Sequence, residues 1–207
     1  QNLGALTVEW TPSGDRTVTD YRLIPIDETL EEDEEIAAMV DTWKTMVGEE
    51  YLGRYGLTYD QVLTTTTFDL NTPVSGVQQG NHLGELVADA FLWAAQTLEA
   101  GTLDTMTVTV TADGVLRAPL RTGEITAAQA FDVLSMGVGA DGTSGFPLVG
   151  VYLTGKELKA AAEVDASVTP IMPAAQLYMA GMEYGFNTNR MFFNRVAAAQ
   201  AYEPWFR

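Results

Sequence analysis

Apolar and polar positions alternate at the start of the chain, in Leu6-Thr7-Val8-Glu9-Trp10, and Pro12-Ser13-Gly14-Asp15 then supplies turn chemistry. A second strand is expected from Thr19 to Ile26, closed by Pro25 and Asp27. A hairpin alone buries little, so this one is expected to belong to a larger sheet. The period then changes. Ile36, Met39, Val40, Trp43 and Val47 fall at helical spacing behind the acidic run Glu31-Glu32-Asp33-Glu34-Glu35, whose charges suit a helix N-terminus. A polar, threonine-rich connection over 58–80 carries one strand near Val62 to Leu70. The clearest helix runs from about His82 to Leu98, with Leu83, Leu86, Val87, Ala90, Phe91, Ala94 and Leu98 on one face.

Farther along, Thr105 to Thr111 alternates as a strand and ends in the turn Ala112-Asp113-Gly114. Thr126 is placed to cap a helix through Ala130, Phe131 and Leu134. Val149 to Leu153 is expected as a strand, and Thr154-Gly155-Lys156-Glu157 is a capping box for a helix to Ala162. Two late strands are expected at Gln176 to Met182 and Asn194 to Ala199. Helices and strands are intermixed, which predicts an α/β or α+β fold. No low-complexity segment and no short repeat interrupts it.

Composition narrows the function more than the fold. At 207 residues and 46% apolar content, the chain suits one good-sized domain, or a domain plus a piece of another. No run of about 18 apolar residues is present, so no membrane span is expected. A net charge of −17 argues against binding a nucleic acid polymer or an anionic lipid surface. The absence of cysteine excludes disulfides, thiol nucleophiles and thiolate metal sites, and a cysteine-free acidic domain fits a bacterial exported protein as it fits many cytosolic ones. Gln1 to Trp10 lacks the basic start and apolar block of a signal peptide, which leaves export open. The acidic run has neither the glycine turn nor the alternating ligands of a calcium loop, so it reads as a solvated helix start. Nor do scattered acids such as Asp113 and Asp141 make a stand-alone hydrolase, because no nucleophile–base pair accompanies them.

A collinear series of motifs carries a resemblance. The segment His82-Leu83-Gly84-Glu85-Leu86-Val87-Ala88-Asp89-Ala90, then Gly114-Val115-Leu116-Arg117 with Gly123-Glu124-Ile125-Thr126, then Phe131-Asp132-Val133-Leu134, resemble motifs of the 5'-nucleotidase family, which also includes UDP-sugar hydrolases and 2',3'-cyclic phosphodiesterases. Leu153-Thr154-Gly155-Lys156-Glu157-Leu158 and the stretch from Tyr178 to Val196 are similar to later motifs of the same family. Leu3-Gly4-x-Leu6 and Tyr21-x-Leu23-Ile24-Pro25-Ile26-Asp27 resemble the exit of its metallophosphatase domain. The resemblance implies a four-layer α/β/β/α domain of the 5'-nucleotidase C-terminal type, with a short N-terminal β-hairpin and a linker helix. Residues 1–30 would be the end of a metallophosphatase domain, 31–56 the interdomain helix, and 57–207 the substrate-binding domain.

The same resemblance implies a division of labour. In the family, two divalent metals held by Asp, His and Asn residues of the N-terminal domain activate water for attack on phosphorus. With His82 as its one histidine, this chain is expected to carry no catalytic or metal-ligating residue and to need its own N-terminal metallophosphatase domain as partner. The implied role of this part is recognition of a nucleotide or related phosphate ester by Arg117, Gly114, Asp113 and Met136. Arg117 matches the family's arginine after the glycine-rich turn, where glycine lets backbone approach a ligand and a guanidinium can bond paired oxygens. Met136 stands where the family has a base-stacking phenylalanine, and methionine can still pack on a base.

Other positions depart from the family pattern. His82 replaces an asparagine, Gln79 an arginine, Ala112 an asparagine and Val115 a glycine, while the 137–145 loop is longer than usual. The segment with a second stacking phenylalanine is expected after Val196, where this chain runs instead to Trp205-Phe206-Arg207. Two readings follow. One is the recognition part of a secreted, cell-surface or periplasmic hydrolase; the other is a degenerate non-catalytic surface module that keeps the fold without binding nucleotide.

Overall fold

The computed structural model describes residues 2–27, 29–72, 79–98, 108–140 and 142–201. They fall into two compact units, Gln1–Gly56 and Leu57–Arg207. The later part of the Thr105–Thr111 expectation is described, whereas residues 105–107, Asp141 and Trp205–Arg207 lie outside the described residues.

In the first unit, β1 (Asn2–Trp10) pairs antiparallel with β2 (Arg16–Pro25) through a bulge at Thr7/Val8. Thr11, Ser13 and Asp15 hydrogen-bond across the turn, and Gly14 takes the left-handed conformation it requires. Register makes the ribbon amphipathic. Leu6 opposes Tyr21 and Val8 opposes Val18 on one face, while Thr7 opposes Asp20 and Glu9 opposes Thr17 on the other. Helix α1 (Glu34–Met46) starts where the acidic run predicts, with Asp33 accepting from the backbone N–H groups of Glu35 and Ile36, each at 3.1 Å. The helix passes through a wide π-type turn over Val47–Tyr51 and a 3-10 turn over Leu52–Tyr55, and stops at Gly56 in the left-handed region.

The second unit contains β3 (Val62–Thr66), α2 (His82–Leu98), β4 (Thr109–Ala112), β5 (Gly123–Thr126), α3 (Ala127–Val133), α4 (Gly155–Val168), β6 (Leu177–Ala180), β7 (Met182–Phe186) and β8 (Val196–Ala201). Its strands form antiparallel ribbons, β3 with β5, β4 with β6, and β7 with β8. The fold is thus mixed α/β, with four α-helices among the described residues and small antiparallel sheets. The predicted capping box of Thr154 with Glu157 forms, and the predicted cap Thr126 makes a second box with Gln129. One cluster, built from Leu83, Val87, Ala88 and Leu92 of α2, takes in Leu116, Leu120, Ile125, Val133 and Tyr178. A second gathers Ala162 and Ala166 of α4 with Met182 and Val196.

Several expectations need correction. Helix α2 does bury one face, but that face is rotated from the predicted one: Gly84 and Ala88 are buried, whereas Leu86 and Leu98 are exposed. The cause is close packing. Tyr178 lies against Gly84, where a Cβ would come 2.3 Å from the ring, and Thr109 Oγ1 donates to the Ala88 carbonyl at 2.6 Å. The small residues Gly84 and Ala88 make these closest approaches to the ribbon. Val149 to Leu153 forms no strand: its large side chains are exposed, and it pairs with no strand among the described residues. β-propensity is realised only where a neighbouring edge offers a ladder. The predicted strand Gln176 to Met182 is broken by Gly181 at φ 77° into β6 and β7, and α4 continues past Ala162 to Val168.

Candidate functional site

The turn between β4 and β5 holds three of the sequence-predicted site residues. β4 leads into a 3-10 turn over Asp113–Val115, in which Leu116 N–H donates to the Asp113 carbonyl at 3.0 Å. The turn is fastened at both ends. Asp113 N–H donates to the Gln176 carbonyl at 2.8 Å, and Arg117 N–H donates to the Val133 carbonyl at 2.8 Å. Leu116 anchors it from below in the main core. Gly114 is needed for close approach, since a Cβ there would sit 3.1 Å from the Ala174 carbonyl oxygen.

Arg117 itself points outward. It is exposed, and its guanidinium has no hydrogen bond or ion pair among the described residues. No carboxylate pairs with it among the described residues. Asp113 is half-buried, and burial raises its carboxyl above the usual range. The bond from Arg117 to Val133 ties the turn to the C-terminal end of α3. Met136 follows three residues after Val133 and is half-buried. Beyond it, Gly137 takes φ 86° and the 137–145 loop closes through Gly139 N–H to the Thr143 carbonyl and Gly145 N–H to the Gly137 carbonyl. Phe146 is exposed at its exit.

His82 lies in the first turn of α2, exposed, 3.6 Å from Glu85 and edge-on to Phe68. Asn81 caps this helix by accepting from Gly84 N–H at 3.0 Å and donates to the Asn71 carbonyl at 3.0 Å. Sequence reasoning did not single out Asn81, nor its neighbours Asp69, Asn71 and Arg121. Arg121 bonds Asp69 at 3.0 Å and Asn71 at 2.7 Å, and Asp69 also accepts from the backbone and hydroxyl of Thr122. Those bonds from Thr122 hold the Asp69 carboxyl below its ordinary range. Contacts between residues about fifty positions apart leave no short-range signal; the polar residue just ahead of the helix was the one available clue.

Among the described residues no group of three or more His, Cys, Asp or Glu is arranged to hold a metal. No described helix is long and apolar enough to cross a membrane.

Residues 60–204 match the family described as 5'-nucleotidase, C-terminal domain. No curated protein matches the chain. Among solved structures it is similar to the 5'-nucleotidase precursor of Thermus thermophilus, with a TM-score of 0.58 and 20% identity over 95% of this chain and 40% of that one. It is also similar to the NAD nucleotidase NadN of Haemophilus influenzae, with a TM-score of 0.51 and 16% identity over 97% of this chain and 40% of that one. The chain thus spans about 40% of the length of these relatives, and identities this low carry the fold alone. With the match running through the β4–β5 turn and both capped helices, this chain belongs to the 5'-nucleotidase C-terminal domain family.

Proposed function

We propose that this chain is the substrate-recognition part of a secreted 5'-nucleotidase-like metallophosphohydrolase, and that it positions a nucleotide or related phosphate ester for hydrolysis elsewhere in the protein. The observation that carries the reading is Arg117: an exposed guanidinium, without a side-chain partner among the described residues, on a turn whose backbone is pinned to Gln176 and Val133. In a chain of net charge −17 such a group is a rare anchor for an anion or a ribose edge. Asp113 and Gly114 set the turn that brings a ligand to it, and Met136 supplies an apolar surface for a base.

In this reading the strands and helices belong to a four-layer α/β/β/α domain, as the family likeness supports. Residues 1–30 end a metallophosphatase domain, and 31–56 form the linker helix. The exposed apolar face of the β1–β2 ribbon, with Leu6, Trp10, Val18 and Leu23, supports that assignment, because such a face needs another sheet against it. The metals that activate water would be held by that preceding domain. A location outside the cytoplasm is part of the proposal and rests on the family likeness alone, with no feature of these residues behind it.

Calorimetric titration of the chain with adenosine, AMP, UDP-glucose and 2',3'-cyclic AMP tests the reading. Saturable binding by at least one of them, weakened roughly 10- to 100-fold in Arg117→Ala, is the expected result for loss of a charge-assisted contact. Absence of binding by all four would overturn it in favour of a module that keeps the fold without the ligand.

A further inference from the structure

The last ribbon of the second unit is fastened differently from the unit's centre. β7 and β8 pair only with each other among the described residues, and all of β8 after Val196 is exposed. No residue of either strand enters the main core cluster. Their buried apolar contact is the small second cluster, in which Met182 and Val196 meet Ala162 and Ala166 of α4, with Tyr184 and Phe186 half-buried at its edge. A two-stranded ribbon with so little apolar cover is marginal by itself. Polar bonds hold it instead.

Those bonds come from one stripe of α4. Glu163, Ala166 and Ser167 stand at i, i+3 and i+4, so they share one face of the helix. Both Glu163 carboxylate oxygens are used: Oε2 accepts from Arg195 N–H at 2.8 Å and Oε1 from Val196 N–H at 2.9 Å. The Ala166 carbonyl accepts from Arg195 Nη1 at 2.8 Å, and Ser167 Oγ accepts from Phe193 N–H at 2.9 Å. Phe193, held in this way, is the one non-glycine residue with a positive φ among those described, at 57°. That left-handed conformation crowds Cβ against a carbonyl oxygen and disfavours a bulky side chain. Phe193 is also 55% exposed, so burial of its ring offsets little of the cost. The bonds from α4 therefore hold the loop against strain.

At its other end the ribbon has a hinge with a lock of its own. Gly181, at φ 77°, separates β6 from β7. The buried Asp165 carboxylate bridges that break, accepting from Leu177 N–H in β6 at 2.6 Å and from the Tyr184 hydroxyl in β7. We propose that the β7–β8 ribbon is a strap that opens as a unit about Gly181 while the main core stays folded. Glu163 and Ser167 latch it shut on α4, and the strain at Phe193 sets how readily it lets go. β6 stays behind, paired to β4 and tied through the Gln176 carbonyl to the turn that carries Arg117. This inference does not depend on nucleotide recognition.

Native-state hydrogen exchange of the full chain, read amide by amide by NMR, tests it. Amides of β7 and β8 should exchange through an opening more than about 10-fold more populated than the one that exposes Val87 and Leu92 of α2. Ile125→Val loosens the main core and should speed α2 exchange roughly 2- to 10-fold while leaving the strap's unchanged. Phe193→Gly relieves the left-handed strain and should make the strap's opening roughly 3- to 10-fold rarer. Phe193→Ala removes the same ring but keeps a Cβ, so it should give no such protection. Glu163→Gln weakens two charge-assisted bonds and should make the opening roughly 10- to 100-fold more frequent. Should that variant fail to fold, the unaltered chain, Ile125→Val and the two Phe193 variants still decide. Equal protection of strap and α2, an Ile125→Val effect shared by both, equal effects of glycine and alanine at 193, or a strap indifferent to Glu163→Gln would each overturn the proposal.

Discussion

The first unit and the second are built with equal local care and unequal burial. In residues 1–56 the hairpin turn is hydrogen-bonded, helix α1 is capped by Asp33, and Gly56 closes the last turn. Yet Leu52 is its one buried apolar residue among those described, while Leu6, Trp10, Tyr21, Leu23, Ile36, Met39 and Trp43 are all exposed. In residues 57–207 the same kinds of strand and helix enclose Leu83 and Leu92 completely. The difference teaches that hydrogen bonding and capping shape an element, whereas burial holds it. Full burial of a leucine contributes roughly 1.5–3 kcal/mol, against about 1 kcal/mol for a cap. A ribbon and helix with their apolar faces open have structure without a core of their own.

The sharpest break of that comparison is a cavity. Leu83→Ala or Leu92→Ala removes a fully buried side chain from the main cluster and is expected to destabilise the second unit by about 2–5 kcal/mol. Chemical denaturation followed by circular dichroism reads the loss as a lower midpoint with little change in slope. An effect below about 1 kcal/mol at both positions would mean that α2 is not the centre of this core.

How much of this was legible in the sequence depends on the range of the interaction. The Thr126 cap and the Thr154 capping box were readable because their partners lie three residues away. The hairpin and the limits of α2 were readable from period and turn chemistry. The rotation of α2 was not, because it is decided by Tyr178, nearly a hundred positions later, settling on Gly84. Val149 to Leu153 has strand composition and pairs with no strand among the described residues, which no local rule could foresee. At the candidate site, Arg117, Asp113 and Gly114 do share one turn, and the Arg117–Val133 bond brings that turn to the end of the helix that Met136 follows.

A smaller effect isolates what local bonding contributes. Thr154→Ala removes the side chain that accepts from Glu157 N–H at 3.3 Å and should cost about 1 kcal/mol of stability. The other half of the box carries a pH signature. Bonds from the Thr154 backbone and hydroxyl hold the Glu157 carboxyl below its ordinary range. Its contribution is therefore present above the unfolded value of about 4.3 and is lost as the pH falls through the lower folded value. A denaturation series from about pH 6 to about pH 3 should show Glu157→Gln flattening that acid limb, and an unchanged limb would remove Glu157 from the account.

The smallest expected effect belongs to the first unit. Leu6 and Leu23 are 57% and 58% exposed on the open face of the β1–β2 ribbon. Replacing both with threonine keeps β-propensity, leaves the backbone ladder intact and removes apolar surface that contributes little while exposed. The stability of the chain should change by less than about 0.5 kcal/mol, and its tendency to self-associate should fall, as light scattering at rising concentration would show. The same pair of substitutions, made in a longer protein in which another sheet covers that face, should instead cost several-fold more, because buried leucines would then be lost. The contrast between the two measurements tells whether the hairpin is part of a larger sheet. Equal small losses in both settings would mean that the face stays open and that the first unit is held by its turns and caps alone.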